Sequence, residues 1–410
     1  MKIIDQMHVF LNIEGIRHFV GTLAFYNRRY YFEYDNAFLK TGLEISPFAL
    51  PLKSGVLQEE DRVFDGLFGV FNDSLPDGWG LLLLHRKLKQ LGVDLRTLSS
   101  LDILSLVGCN GMGALEYEPI NHIYSEMCGD YSLDAVCLES EKILEGESSD
   151  MLDFILQKNG SSCGARPKVL ASLAFTHAEL AATSKIAPAY NEVGSDSINA
   201  STASTWIIKF QSSMDSKNAG AIEYVYSLAA KKCGIDMPET HLFESKECSG
   251  YFGAKRFDRV GDKKLHVHSA CGLLNADFRL SSLDYENLMA ATKYLTKDAA
   301  EVEKMFRIMA FNVKTHNLDD HAKNFSFLMN GKGEWKVAQA YDLTYSAGIH
   351  GERMTSVAGK TKDINDDDLL KIAQKCGLSK QVAMTIVEQA SDAMPFISKT
   401  LKEYGIDDMS

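Results

Sequence analysis

The most informative stretch of the 410-residue chain is Asn317-Leu318-Asp319-Asp320-His321-Ala322-Lys323-Asn324. An aspartate such as Asp319 can orient a hydroxyl group and accept its proton, and the side-chain oxygen of Asn324 can ligate a divalent cation. The next residues supply a further ligand. Phe325 to Leu328 reads as a strand, Asn330-Gly331-Lys332-Gly333 as a hairpin turn, and Trp335 to Val337 as the returning strand. A hairpin brings its two ends together, so Asn324 before it and Asp342 after it are expected side by side. An amide oxygen next to a carboxylate suits Mg²⁺, which keeps several waters and shares its remaining sites with phosphates. A base beside such a pair implies phosphoryl transfer.

The D-x-x-x-x-N separation of Asp319 and Asn324 is that of protein-kinase catalytic loops. Asp and Asn are also ordinary turn residues, so the spacing gains its weight from the hairpin and from Asp342. His321 is either a base or a prop that hydrogen-bonds the loop. Kinase chemistry further needs a lysine, a glutamate to hold it and a loop over the phosphates. Lys209 ends the apolar strand Thr205-Trp206-Ile207-Ile208, a costly place for a cation without a partner. Glu223 on the following helix is the natural partner, while a solubilising charge on an edge strand is the alternative for Lys209 alone. Upstream, Gly160 to Lys168 is rich in small residues that let backbone N–H groups approach phosphates, although it matches neither common glycine-rich phosphate motif.

The elements that would position these groups fall into an expected α+β arrangement. Residues 1–120 form a β-rich subdomain with strands at Tyr30 to Tyr34 and Ile45 to Pro51 and a helix from Leu81 to Leu91. In it, glycines between Val107 and Ala114 make a tight turn before a short strand. Residues 121–158 form a helical connection. Residues 159–258 form a small lobe, with strands at Lys168 to Phe175, Thr205 to Gln211 and Tyr251 to Phe257. A helix from Ala221 to Cys233 is ended by Gly234, and a flexible polar loop runs from Glu192 to Ser204. Residues 259–410 form a mainly helical large lobe, in which Val302, Met305, Phe306, Met309 and Val313 give Asp298 to His316 an apolar helical stripe.

The bulk numbers narrow the classes. A length of 410 residues favours two or three domains, and 45% hydrophobic with 24% charged residues is ordinary for a globular protein. No apolar run is long enough to span a membrane, and the start lacks a signal-peptide core, so a cytoplasmic location is expected. The 8 cysteines form no C-x-x-C pair, which argues against a zinc site or a disulfide framework. A net charge of −12 argues against direct nucleic-acid binding as the main task.

With these residues in place, the chain resembles the HipA family of serine/threonine kinases, toxins of bacterial type II toxin–antitoxin pairs. The resemblance runs in order through Asn72 to Trp79, Val107 to Ala114, Gly164 to Lys168, Ile208-Lys209, Glu223, Arg256 to Arg259, Asp319 to Phe325 and Tyr341 to Leu343. It implies a two-lobed kinase-like fold using ATP and Mg²⁺, with Asp319 as catalytic base and Asn324 and Asp342 as magnesium ligands. Cys163, Gly164, Ala165, Arg166, Pro167 and Lys168 would form the phosphate loop, and Lys209 would contact the ATP phosphates. Lys255, Arg256 and Phe257 would form the hinge beside adenine, with His321, Lys323 and Tyr341 also on the nucleotide side. Ser161, or its neighbour Ser162, would be the autophosphorylated serine that ejects the loop. The implied partners are a small DNA-binding antitoxin of the HipB kind, operator DNA through it, and a protein substrate, with aminoacyl-tRNA synthetases as a candidate class.

Two departures mark a distinct subgroup. Arg166 stands where the family often has glutamine, and His266-Val267-His268-Ser269 replaces an acidic segment. Asp319-Asp320-His321 with Asn324 also resembles the D-x-H-x-x-N loop of phosphoinositide kinases. A small-molecule or lipid kinase, or a catalytically silent scaffold in a repressor complex, are the alternative readings.

Overall fold

The computed structural model describes residues 3–124, 131–159, 164–173, 185–186, 204–212, 215–261 and 263–407. Among the described residues, three antiparallel sheets of three to five strands, three two-stranded pairings and a set of helices build the α+β, two-lobed fold expected from the sequence.

The N-terminal sheet has strands β1 (Gln6–Ile13), β2 (Ile16–Tyr26), β3 (Arg29–Tyr34), β4 (Val56–Gln58) and β5 (Leu115–Glu118), in the order β4-β3-β2-β1-β5. Alternation along β1 turns Met7, Val9, Leu11 and Ile13 into the core. Asn27 and Arg28 between β2 and β3 both have positive φ, the backbone of the tight hairpin turn that matches strand twist. The expected strand from Ile45 to Pro51 does not form. Pro47 can give no N–H to a ladder, and Leu50 N–H instead donates to Ser46 O across a turn.

This sheet's core is shared with the large lobe. Gly69 and Gly272 meet backbone to backbone, and a Cβ on Gly69 would lie 2.0 Å from the Gly272 carbonyl oxygen. Beside them runs a buried polar seam. His268 Nδ1 donates to Asp73 at 2.7 Å, His268 Nε2 and Ser46 Oγ share a hydrogen bond of 2.9 Å, and Ser269 N–H and Oγ–H both donate to Asp73. His266 Nε2 donates to Ile45 O at 2.8 Å. His266 and His268 thus fasten the N-terminal region to the large lobe.

The small-lobe sheet contains β6 (Lys168–Leu173), β7 (Ser204–Lys209), β8 (Thr240–Phe243) and β9 (Tyr251–Lys255), in the order β8-β9-β7-β6. Along β7, Trp206 and Ile208 face a core built with α1 (Gly78–Gln90), α2 (Leu133–Glu145) and α3 (Leu152–Asn159). Ile207 and Lys209 therefore face the cleft. The helix expected from Ala221 is α4 (Ala219–Lys232), and Gly234, at φ +75°, turns the chain out of it.

In the large lobe, α5 (Tyr285–Thr296) and α6 (Ala299–Lys314) pack with α7 (Asp366–Cys376), α8 (Lys380–Ser391) and α9 (Ala393–Glu403). Asp298 caps α6 by accepting from Ala300 N–H. The expected hairpin is β11 (Ser326–Met329) and β12 (Trp335–Val337), with β10 (His266–Ser269) pairing on the other side of β11. Among the described residues, no helix is long and apolar enough to cross a membrane. Ser161, Ser162, Cys163, most of the expected polar loop from Glu192 to Ser204, and the expected strand end at Phe175 lie outside the described residues.

Candidate active site

A cleft of about 470 Å³ lies between the lobes and collects most of the residues singled out in the sequence. Gly164, Ala165, Arg166, Lys168, Lys209, Glu223, Lys255, Arg256, Phe257, Asp319, His321, Lys323, Asn324, Tyr341 and Asp342 all line it, and Pro167 lies between two of them.

The small lobe brings cations. Lys168 and Lys209 are direct partners across β6 and β7. Like charges opposite one another repel, so the pairing is tolerable only with anions nearby. Lys209 Nζ donates to Glu223 Oε1 at 2.6 Å and also to Asp342 Oδ1. Burial alone would lower the Lys209 pKa, but Asp342 and Glu223 outweigh it and raise it. The edge-strand alternative for Lys209 is thereby excluded: β7 is an inner strand and its lysine is paired. Arg166 donates to Asp215 Oδ1 at 2.9 Å and stands 4.0 Å from Glu223, so it joins the same charge cluster.

The large lobe brings acids. Asp342 has φ +52°, a left-handed backbone that aspartate tolerates better than most residues, and Asn317 Nδ2 donates to its carbonyl oxygen at 3.2 Å. Burial pushes the Asp342 carboxyl up, but Lys209 and Lys168 overcome that and hold it well below the usual carboxylate range. Asp319 behaves oppositely. Burial raises its pKa, Asp342 adds to the rise, and His321 and Arg166 only partly offset it. The two acids of one cleft are therefore pushed apart, one toward a proton acceptor and the other toward a permanent anion.

The loop carrying Asp319 is fastened from beneath by its neighbour. Asp320 is fully buried, accepting from Tyr285 Oη–H at 2.8 Å and from Met354 and Thr355 N–H at 3.1 Å each. Buried Arg353 donates to the carbonyls of Asn312 and Asn317 at 3.3 Å each, and lies 3.6 Å from Asp320. His321 stands edge-on to Phe278 at 5.6 Å, and its Nδ1 has no hydrogen-bond partner among the described residues. The structure thus gives it no loop-propping bond through that atom.

The residues fit a magnesium ion. Asn324 Nδ2 donates to Asp319 O at 2.8 Å, which fixes the amide so that Oδ1 is its free acceptor. Lys209 takes Asp342 Oδ1, making Oδ2 the metal-facing candidate. Among the described residues, no group of three or more His, Cys, Asp or Glu side chains could hold a metal by itself. Two oxygen ligands with phosphates and waters completing the shell are what magnesium takes.

Elsewhere in the cleft, Phe257 stacks on Tyr341 with centroids 5.6 Å apart, and Tyr341 Oη–H donates to Lys323 O at 2.6 Å. Arg256 forms a buried bidentate pair with Asp258, at 2.8 and 2.6 Å, which stiffens the crossing from β9 to the large lobe. Lys255 lies 3.7 Å from Glu239.

One participant escaped the sequence reading. Asp77 lies in the Asn72 to Trp79 stretch, to which the sequence assigns no role at the site; it stands at the N-cap of α1, yet its side chain makes no cap hydrogen bond. Its carboxylate instead accepts from Gly164 N–H at 2.6 Å and from Lys323 Nζ. The missing cap contact can be seen only in three dimensions.

The architecture is that of a two-lobed kinase-like protein. A HipA-like C-terminal domain model matches residues 160–396 and a HipA N-terminal domain model matches residues 11–118, so the chain belongs to the HipA family. Among solved structures it is similar to HipA in the Shewanella oneidensis MR-1 HipA, HipB and operator DNA complex. That match has a TM-score of 0.65 and 16% identity, covering 97% of this chain and 91% of the other, and at that identity it is a likeness of fold. A second match, to the Helicobacter pylori proinflammatory kinase CtkA, has a TM-score of 0.31 and 12% identity, covering 50% of this chain and 92% of the other. A search of curated proteins gave no match.

Proposed function

We propose that the protein is an ATP- and Mg²⁺-dependent serine/threonine kinase acting as the toxin of a toxin–antitoxin pair. The observation that carries this reading is the double contact of Lys209 with Glu223 and Asp342 in the cleft that also holds Asp319. In that arrangement Lys168 and Lys209 bind the nucleotide phosphates, and Glu223 keeps Lys209 extended toward them. Phe257 and Tyr341 bound the base side. Asp319 orients the acceptor hydroxyl and takes its proton as the γ-phosphoryl group is transferred. Asn324 and Asp342 hold Mg²⁺, which supplies charge neutralisation between the phosphates. Catalysis then rests on positioning and electrostatics, with no covalent intermediate on the protein.

The acceptor in this reading is a protein serine or threonine, with aminoacyl-tRNA synthetases as the first class to try and Ser161 or Ser162 as the self-modified site. A HipB-like DNA-binding antitoxin is the proposed partner, supported by family membership and by the fold likeness to a chain seen with HipB and operator DNA. DNA contact would come through that partner, in keeping with a net charge of −12.

The test is intact and peptide mass spectrometry after incubation with MgATP, with Asp319→Ala alongside. A gain of one phosphate in wild type alone, mapping near Ser161, supports the reading. Wild type that starts unmodified and stays so, while phosphorylating a metabolite pool, would replace it with a small-molecule kinase.

A further inference from the structure

We propose that the turn Asp77-Gly78-Trp79 is a clamp that sets the loop at Gly164 in the cleft and links it to the catalytic loop, with Asp77 as a positioning residue.

Gly164 is gripped on both sides of its backbone. Its N–H donates to Asp77 Oδ1 at 2.6 Å, and its carbonyl oxygen accepts from Trp79 N–H at 3.0 Å. The approach is so close that a Cβ on Gly78 would lie 2.6 Å from the Gly164 carbonyl oxygen and 2.8 Å from Ala165 Cα. Gly78 itself has φ +39° and Gly164 φ +105°, both backbone states that side chains disfavour. The turn is not free to drift, because Trp79 is buried in the core beneath the small-lobe sheet.

The second half of the clamp reaches the other lobe. Asp77 Oδ2 accepts from Lys323 Nζ at 2.5 Å, and the ammonium also lies 4.5 Å from the Phe278 ring centroid. Lys323 directly precedes Asn324 and follows Asp319 by four positions. Its side chain is only 8% exposed, so its charge meets little water and depends on its protein partners. One carboxylate therefore fastens a small-lobe backbone amide with one oxygen and a large-lobe lysine with the other. It does this from the N-cap of α1, where an aspartate would ordinarily cap its own helix.

The inference rests on the kinase reading for what the cleft holds, and not for the mechanical link itself. The link predicts that Asp77→Ala frees both loops at once. Asp77→Asn keeps an acceptor for Gly164 but turns an NH₂ donor toward Lys323, so it breaks the crossing between lobes alone. Gly78→Ala forces the turn and the loop apart while leaving the carboxylate in place.

Hydrogen exchange of the full-length protein, read on peptides covering residues 164–168 and 319–325, is the experiment. Binding of Mg²⁺ with a non-hydrolysable ATP analogue is measured in parallel. Asp77→Ala is expected to speed exchange at least tenfold in both peptides. Asp77→Asn should do so mainly in the catalytic-loop peptide, and Gly78→Ala mainly in the Gly164 peptide. Exchange in peptides of the N-terminal sheet should stay unchanged, which separates a local clamp from general loosening. Analogue affinity should fall about tenfold in Asp77→Ala and recover part of the way in Asp77→Asn. Unchanged exchange in both peptides of Asp77→Ala would overturn the clamp. Wild type that binds no nucleotide would instead sink the kinase reading, and the exchange comparison would still decide the clamp.

Discussion

Lys168 and Lys209 face each other directly across two paired strands, and the carboxylates that offset their repulsion, Glu223 and Asp342, come from two other elements. The arrangement balances two cations with two anions and gathers both cations on the small-lobe wall of the cleft. A polyanion entering there relieves repulsion as well as forming contacts.

MgATP should accordingly stabilise the folded protein. Saturation at a hundred times the dissociation constant corresponds to about 2.7 kcal/mol by linkage, read as a rise of a few degrees in Tm. Lys168→Ala should remove most of that rise, measured relative to the variant's own ligand-free Tm. A ligand-induced shift that survives the substitution would take Lys168 out of phosphate binding.

Removal of Lys209 has a different signature. Lys209→Met leaves Glu223, whose side chain is 4% exposed, and Asp342 without their shared cation. A loss of about 3 kcal/mol in urea unfolding is expected, at the lower end for a broken buried pair because Asp342 is partly open to solvent. Phosphoryl transfer should fall by more than a hundredfold.

Asp319 makes a pH prediction. Its raised pKa places the acidic limb of kcat/KM above the ordinary aspartate range, with activity falling tenfold per pH unit below that point because the base must be ionised. The same shift costs stability at neutral pH, since the folded state holds the proton more tightly than the unfolded chain does. Asp319→Asn should be inactive, lose the titration and be slightly more stable than wild type at pH 7. A variant that keeps near-normal turnover would remove Asp319 from the mechanism.

His266 governs acid stability instead. Burial, reinforced by His268, lowers its pKa from 6.5 to about 4. The unfolded chain therefore binds a proton that the native protein refuses, and stability declines as pH drops from about 6.5 to about 4. The full effect is on the order of 3 kcal/mol. Chemical denaturation across that window should show a shallower slope for His266→Gln; an unchanged slope would place the acid sensitivity elsewhere.

What could be read from the sequence was local. Asp319 and Asn324 lie five residues apart, and the hairpin that carries Asp342 round to them is short, so spacing and turn chemistry reach that far. Lys209 and Glu223 sit on consecutive elements, and the cost of a lysine on an apolar strand pointed to its partner. Asp319 and Asp320 could not be told apart by type; one faces the cleft, while the other is sealed beneath it by Tyr285 and Thr355. Asp77 and Lys323 are separated by 246 positions, and no periodicity connects them. The strand expected at Ile45 does not form because Pro47 has no N–H to offer a ladder, whatever the apolar residues around it favour.

The contact of Gly69 with Gly272 has a mechanical consequence. With backbone on backbone, the Asp73 seam beside it and Cys271, Ala276, Ala322 and Met329 packed into the core under the N-terminal sheet, that sheet and the large lobe are joined through backbone, polar and apolar contacts together. The junction therefore binds the N-terminal sheet and the large lobe into one packed unit. Helix α1 belongs to a second unit, through Trp79 and Leu83. The chain crosses between the two packed units near Pro76, between α1 and Leu101, between β5 and α2, and at Lys255 to Phe257. Asp77 stands beside the first of these crossings, and its ion pair with Lys323 is a contact that any separation of α1 from the loop at Lys323 has to break.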